Sequence, residues 1–159
     1  MHVERFSLID QSAVISSILK HDRKHNNYKI ALVRAINDVL LLSYPNIKNF
    51  GADVAIPLRA LAEFWLAYYW PFADSGRPLL QGVKPPARSN MSFRQSLTTF
   101  RDLWQTATGL QARPADGFFI INEFCVPRRR DSYDSGLLRA YRTSITEMAN
   151  AIRGANLTE

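Results

Sequence analysis

Cysteine is nearly missing from this sequence: Cys125 is the single thiol in 159 residues. One thiol cannot close an internal disulfide, so a stapled, secreted scaffold is excluded and a reducing cytoplasm is the expected compartment. Cys125 itself lies in the apolar run Phe118–Val126 and reads as a small buried apolar residue. Histidine is almost as scarce. His2, His21 and His25 all precede Asn26, so the rest of the chain has no imidazole for a Ser/His/Asp arrangement. Glycine numbers only 7 and forms no G-x-x-x-x-G-K-[ST], G-x-G-x-x-G or G-x-S-x-G pattern. That removes the glycine-rich phosphate loops and the nucleophile elbow. No apolar run reaches the roughly eighteen residues that a bilayer span requires. The opening MHVERFSLID lacks the basic-then-apolar order of a signal peptide. No membrane partner is expected.

What is present reads as a globular chain. Apolar residues make up 47% against 21% charged, a balance that allows a packed core and argues against disorder. The length suits a single helical domain over residues 1–159, either alone or as the N-terminal part of a longer protein.

Helical periodicity recurs four times. In Asn27–Tyr44 the residues Tyr28, Ala31, Leu32, Ala35, Val39 and Leu42 form a stripe, and Pro45 stops it. A second helix opens at Pro57 and ends at Pro71, with Leu58, Leu61, Ala62, Trp65, Leu66 and Tyr69 apolar. A third begins with Ser92 and Gln95 at capping-box spacing, carries Phe93, Leu97, Phe100 and Trp104, and ends at Gly109. A fourth runs from Ser135 to Arg153, with Gly154 as its stop. Asp10–Lys20 reads as a short helix, and Phe118–Val126 as either strand or buried helix. Connectors span 46–56, 73–90 and 110–117, the second long enough to carry function. Alternating βα units are absent. The expected class is therefore all-α, an irregular bundle of about five to six helices anchored by Trp65, Trp70, Phe100 and Trp104.

Chemistry-bearing clusters are few. His21 and His25 share a helical face at zinc-compatible spacing, but Lys20, Arg23 and Lys24 surround them and would oppose a dication, so a solvated basic turn is the simpler reading. No cofactor is expected in this chain. Glu63, placed on the polar edge of its helix, and Glu123, between Asn122 and Phe124, are the carboxylates in apolar surroundings. Either would serve an unrecognised enzyme only if buried beside polar groups.

Charge distribution carries more. The chain has net charge +6. Between Arg77 and Arg113 the basic residues are Arg77, Lys84, Arg88, Arg94, Arg101 and Arg113, against Asp102 alone. Arg94 and Arg101 are seven apart and point the same way on a helix. A second cluster, Arg128, Arg129 and Arg130, is followed by Arg139 and Arg142, with Asp131 and Asp134 offsetting it in part. Arginine forks bind phosphates bidentately, which points to a nucleic-acid partner. A solvated or internally paired face is the alternative. In the run Trp65, Tyr68, Tyr69, Trp70, Phe72, the residues Tyr68 and Phe72 lie off the core face and are the candidates for stacking on bases.

Two stretches resemble a known family. NYKIALVRAINDVLLL (27–42) resembles a helix near the N-terminus of bacterial HNH endonuclease proteins, and IPLRALAEFWLAYYWPF (56–72) resembles the next, with its tyrosine-tyrosine-tryptophan-proline ending. The resemblance implies a helical module placed before a metal-dependent nuclease, in restriction or defence. The nuclease's own histidine-asparagine-histidine pattern has no counterpart here, since the histidines precede Asn26. No catalytic residue carries over, and a divalent metal is implied only if a nuclease domain follows. The expected role is DNA binding or targeting through Lys84, Arg88, Arg94, Arg101, Arg128, Arg129 and Arg130. A homodimerisation or protein-interaction module is the alternative.

Overall fold

Six α-helices and two short antiparallel ladders make up the computed structural model, which describes residues 27–42, 45–74, 76, 80–81 and 89–155. The order is α1 (Asn27–Leu41), β1 (Lys48–Phe50), β2 (Asp53–Ala55), α2 (Leu58–Tyr69), a 3₁₀ turn (Trp70–Phe72), β3 (Leu80–Gln81) and β4 (Ser89–Asn90). Then come α3 (Arg94–Thr108), a second 3₁₀ turn (Pro114–Asp116), α4 (Gly117–Cys125), α5 (Pro127–Arg130) and α6 (Ser135–Ala155). The expected helix at Asp10–Lys20 lies outside the described residues.

The centre of the bundle is α2. Every residue from Ala60 to Ala67 is buried, the mark of a helix with neighbours on all sides. It packs against α1, α4 and α6, while α6 also lies along α3. The four expected aromatic anchors are all buried, from Trp65 at 0% exposure to Trp104 at 1%. They belong to two groups of ring contacts, one around Trp65 with Tyr28, Tyr69 and Phe93, the other joining Trp70, Phe100 and Trp104 to Phe124 and Tyr141. Tyr28 of α1 meets Trp65 at 5.2 Å, Trp70 meets Trp104 edge-on at 6.0 Å, and Phe124 stacks on Tyr141 at 4.6 Å. Such edge and offset geometries add to the area that each ring buries.

The structure revises several boundaries. Helix α1 ends at Leu41, before Tyr44, so Leu42 leaves the apolar stripe and is 66% exposed. The Ser92–Gln95 capping box does not form. No side chain caps α3, and the Ser92 amide donates instead to the Tyr28 hydroxyl at 3.0 Å. A tertiary acceptor has taken over from the local one. Gly109 does end α3, with φ 68° and its amide on the Gln105 carbonyl at 2.9 Å. The ambiguous run after Gly117 is helical and turns Ile120, Ile121 and Phe124 inward. Asp134 Oδ1 accepts the amides of Gly136 at 2.7 Å and Leu137 at 3.0 Å, which starts α6. At the other end α6 runs through Gly154, whose stop signal is not used.

The hairpin between α1 and α2 pairs Lys48 with Ala55 and Phe50 with Asp53, turning at Gly51 with φ 64°. All six of its strand residues are exposed. The second ladder, Leu80 with Asn90 and Gln81 with Ser89, ties the middle of the long connector to its end.

Gly117 allows α4 to reach α2. A methyl at this position would sit 2.5 Å from the Ala67 carbonyl oxygen and 2.8 Å from the Ala67 Cα. Both are backbone atoms that cannot swing aside. Gly117→Ala is expected to destabilise the fold by about 1–3 kcal/mol. Gly154→Ala, with open space around it, should be neutral or stabilising by up to about 1 kcal/mol. Urea unfolding of the two variants measures the difference, and equal midpoints would contradict the close approach.

Candidate nucleic-acid interface

The arginines singled out by sequence separate into two groups. Lys84 and Arg88 lie outside the described residues. Arg94 is 7% exposed, and its guanidinium donates to the Asp74 carbonyl. Arg101 is half-buried, with Nη2 3.6 Å from Asp74 Oδ2 and 3.5 Å from the Ala112 carbonyl oxygen. The seven-residue spacing does align the two side chains. They converge on Asp74, however, and pin the start of the long connector to α3 instead of facing solvent. This corrects the expectation that they form an open phosphate surface.

In the second cluster Arg128 is exposed. Arg129 pairs with Glu123 at 3.0 Å, and Arg130 pairs with Asp131 at 3.2 Å. Arg130 keeps only 26% of its side-chain surface. Tyr68 and Phe72 are half-buried. The Tyr68 hydroxyl donates to Asp38 at 2.6 Å, and the Arg34 guanidinium covers its ring 4.4 Å from the centroid. The proposed stacking face of Tyr68 is thus already occupied.

A different cationic surface does form. On α6, Arg139, Arg142, Thr146, Asn150 and Arg153 follow at helical steps, and all five are exposed. Residues three and four apart share a helix face, so they make one polar stripe that contains no carboxylate. The stripe borders a groove of about 430 Å³ whose opposite wall is the start of α2, with Leu58 and Arg59. Arg153 Nη1 donates to Asn150 Oδ1 at 3.0 Å, which orients the last guanidinium along the groove. The stripe is visible in the spacing, since Arg139, Arg142 and Arg153 fall on one face of a helix. Arg59 is not, because it comes from another helix.

Arg59 is held in place from below. Glu63, expected on the polar edge of α2, is 1% exposed. The α6 helix covers that edge, so polar position and solvent exposure part company. Glu63 Oε1 accepts from Arg59 Nε at 2.8 Å and from the Tyr141 hydroxyl at 3.0 Å. The hydrogen bond to Glu63 raises the guanidinium's proton affinity further, so Arg59 stays cationic. Glu123, half-buried, accepts from Arg129 at 3.0 Å and from the Tyr133 hydroxyl at 3.3 Å. Glu63 thus meets the condition of burial beside polar groups, while Glu123 meets it only in part, and each is ion-paired with an arginine.

Among the described residues no group of three or more His, Cys, Asp or Glu is placed to hold a metal. The pair His21 and His25 lies outside them. No helix among the described residues is long and apolar enough to cross a membrane. A family model described as Domain of unknown function (DUF8808) matches residues 9–155. No curated protein and no solved structure matches the chain.

Burial holds the Tyr69 and Tyr141 hydroxyls well above the ordinary tyrosine value of 10.0, and it does the same for Tyr68 and, less strongly, Tyr133. Neighbouring carboxylates add to the effect at Tyr68, Tyr133 and Tyr141. Below about pH 10 both folded and unfolded chains keep these protons, and stability is unaffected. Above it the unfolded chain ionises first, so stability falls as pH rises. Alkaline titration should therefore show these four tyrosines ionising together with loss of helical circular dichroism. Smooth ionisation of all tyrosines with the helices intact would contradict the buried network.

Proposed function

We propose that this chain, which belongs to the family Domain of unknown function (DUF8808), docks on nucleic-acid phosphates and contributes no catalytic group of its own. The observation that carries this reading is the carboxylate-free stripe of α6, whose Arg142 and Arg153 line the groove with Arg59 on the other wall, and whose Arg139 continues the same exposed face beyond it. Eleven helical steps separate Arg142 from Arg153, roughly 16 Å along the axis. Successive phosphates of one duplex strand advance by roughly 3.4 Å along the DNA axis, so the stripe spans several of them. Asn150 supplies a neutral amide donor between the cations, while the Thr146 hydroxyl donates to the Arg142 carbonyl at 2.9 Å. Contacts of this kind set position and affinity without reading bases.

The resemblance to the helices of HNH endonuclease proteins bears on scaffold more than on site. Its residues Tyr28, Trp65, Tyr69 and Trp70 are all core. A targeting role beside a metal-dependent nuclease, encoded elsewhere in a longer protein, is compatible with a docking module and would supply the missing chemistry.

The test is fluorescence anisotropy on a labelled duplex across a salt series. Log affinity should fall linearly with log salt, and Arg142→Gln or Arg153→Gln should each reduce that slope by about one. Arg94→Gln should instead lower the urea midpoint and leave the slope of the folded protein unchanged. Negligible binding at low salt by folded protein would reject the reading. A second reading, self-association, is favoured by the exposed Phe118, Phe119 and Leu110, at 49%, 50% and 56%. Light scattering that shows a tight dimer, together with no affinity for DNA, would select it.

A further inference from the structure

We infer that a recess adjoining the groove, walled by Arg59 of α2 and Arg130 of α5, holds a phosphate monoester: the terminal phosphate of a bound strand or that of a free nucleotide. The strand form of this inference rests on the docking reading above. The recess encloses about 400 Å³ and is lined by Pro45, Asn46, Pro57, Cys125 and the two arginines, with Glu63 beneath. That volume lies within the range of small-molecule sites.

The groove and the recess share Arg59. A chain of phosphates following Arg153 and Arg142 therefore arrives at this guanidinium and then at a second one. The two cations come from different helices and are fixed independently. Glu63 holds Arg59 at 2.8 Å, while Arg130 pairs with Asp131 at 3.2 Å. Asp131 is 66% exposed, and an exposed pair of this kind is weak enough for an incoming phosphate to replace it.

Acceptor geometry favours a monoester over a diester. A backbone diester leaves two terminal oxygens free, whereas a monoester leaves three and at neutral pH carries about 1.5 to 2 negative charges. Glu63 also lines the recess and offsets the charge of Arg59, so it is the additional terminal oxygen that lets both guanidiniums bind one phosphate. The start of α2 also faces the recess through Pro57 and Ala60, and no side chain caps it. The positive end of that helix dipole favours an anion there. Asn46 has the only positive φ, 72°, among the described non-glycine residues. Asn46 lines the recess together with Pro45 and Pro57, which offer apolar surface to a sugar or base.

The test compares duplexes that differ only in a 5′-phosphate, a 3′-phosphate or hydroxyl ends, by anisotropy at fixed salt. A phosphorylated end should bind roughly five- to tenfold tighter. Arg130→Gln should abolish the preference, so that phosphorylated and hydroxyl-ended duplexes bind alike, with the urea midpoint read alongside to show that the variant is folded. Arg142→Gln should weaken all the duplexes alike. A second measurement needs no variant: a nucleoside monophosphate should slow labelling of Cys125 by a thiol reagent, and the parent nucleoside should not. Salt-dependent duplex binding with no end preference and no protection of Cys125 overturns this inference and leaves the docking reading intact. Protection by the mononucleotide without duplex binding overturns the docking reading and assigns the recess to free nucleotides.

Discussion

One buried carboxylate organises this molecule. Glu63 enters the core on α2, where nearly every other side chain is apolar, and it is satisfied there by Arg59 from its own helix and Tyr141 from α6. A buried charge that lost a partner would be strongly destabilising, so the pairing fixes how α2 and α6 lie against each other. The same bond keeps the Arg59 guanidinium at the surface, with 57% of its side chain exposed. Core and candidate interface are thus joined through one oxygen atom. Arg59, so held, lines both the groove and the recess.

Arginine serves two unlike purposes in this chain. Arg94 and Arg101 spend their donors on Asp74 and the Ala112 carbonyl and act as brackets for an irregular segment. Arg139, Arg142 and Arg153 stand on a face with no carboxylate among them. The net charge is the sum of both kinds and distinguishes neither. What separates them, among the described residues, is whether another segment folds back over the helix face, as Asp74 and Ala112 do over α3 and none does over the outer side of α6.

Much of the fold was legible in the residues. The stripes Tyr28–Leu32–Ala35–Val39 and Phe93–Leu97–Phe100–Trp104 predict their helices and buried faces correctly, because helical spacing and core burial have the same cause. Local signals failed in two places. The Ser92 amide bonds the Tyr28 hydroxyl in place of the Gln95 side chain, and Gly154 did not end α6. Of the site, the α6 arginines were visible as a sequence cluster. Arg59 and the burial of Glu63 were not, because periodicity shows which side of a helix a residue occupies and not what covers that side.

The amino-acid sequence by itself determined the helical class, the positions of the main helices, the aromatic anchors of the core and an excess of positive charge. These depend on spacing and composition along one segment at a time. The tertiary structure alone decided which arginines meet solvent, which carboxylate is buried and where a groove opens. Those outcomes depend on which helix faces come together, and that is a property of pairs of segments far apart in the chain.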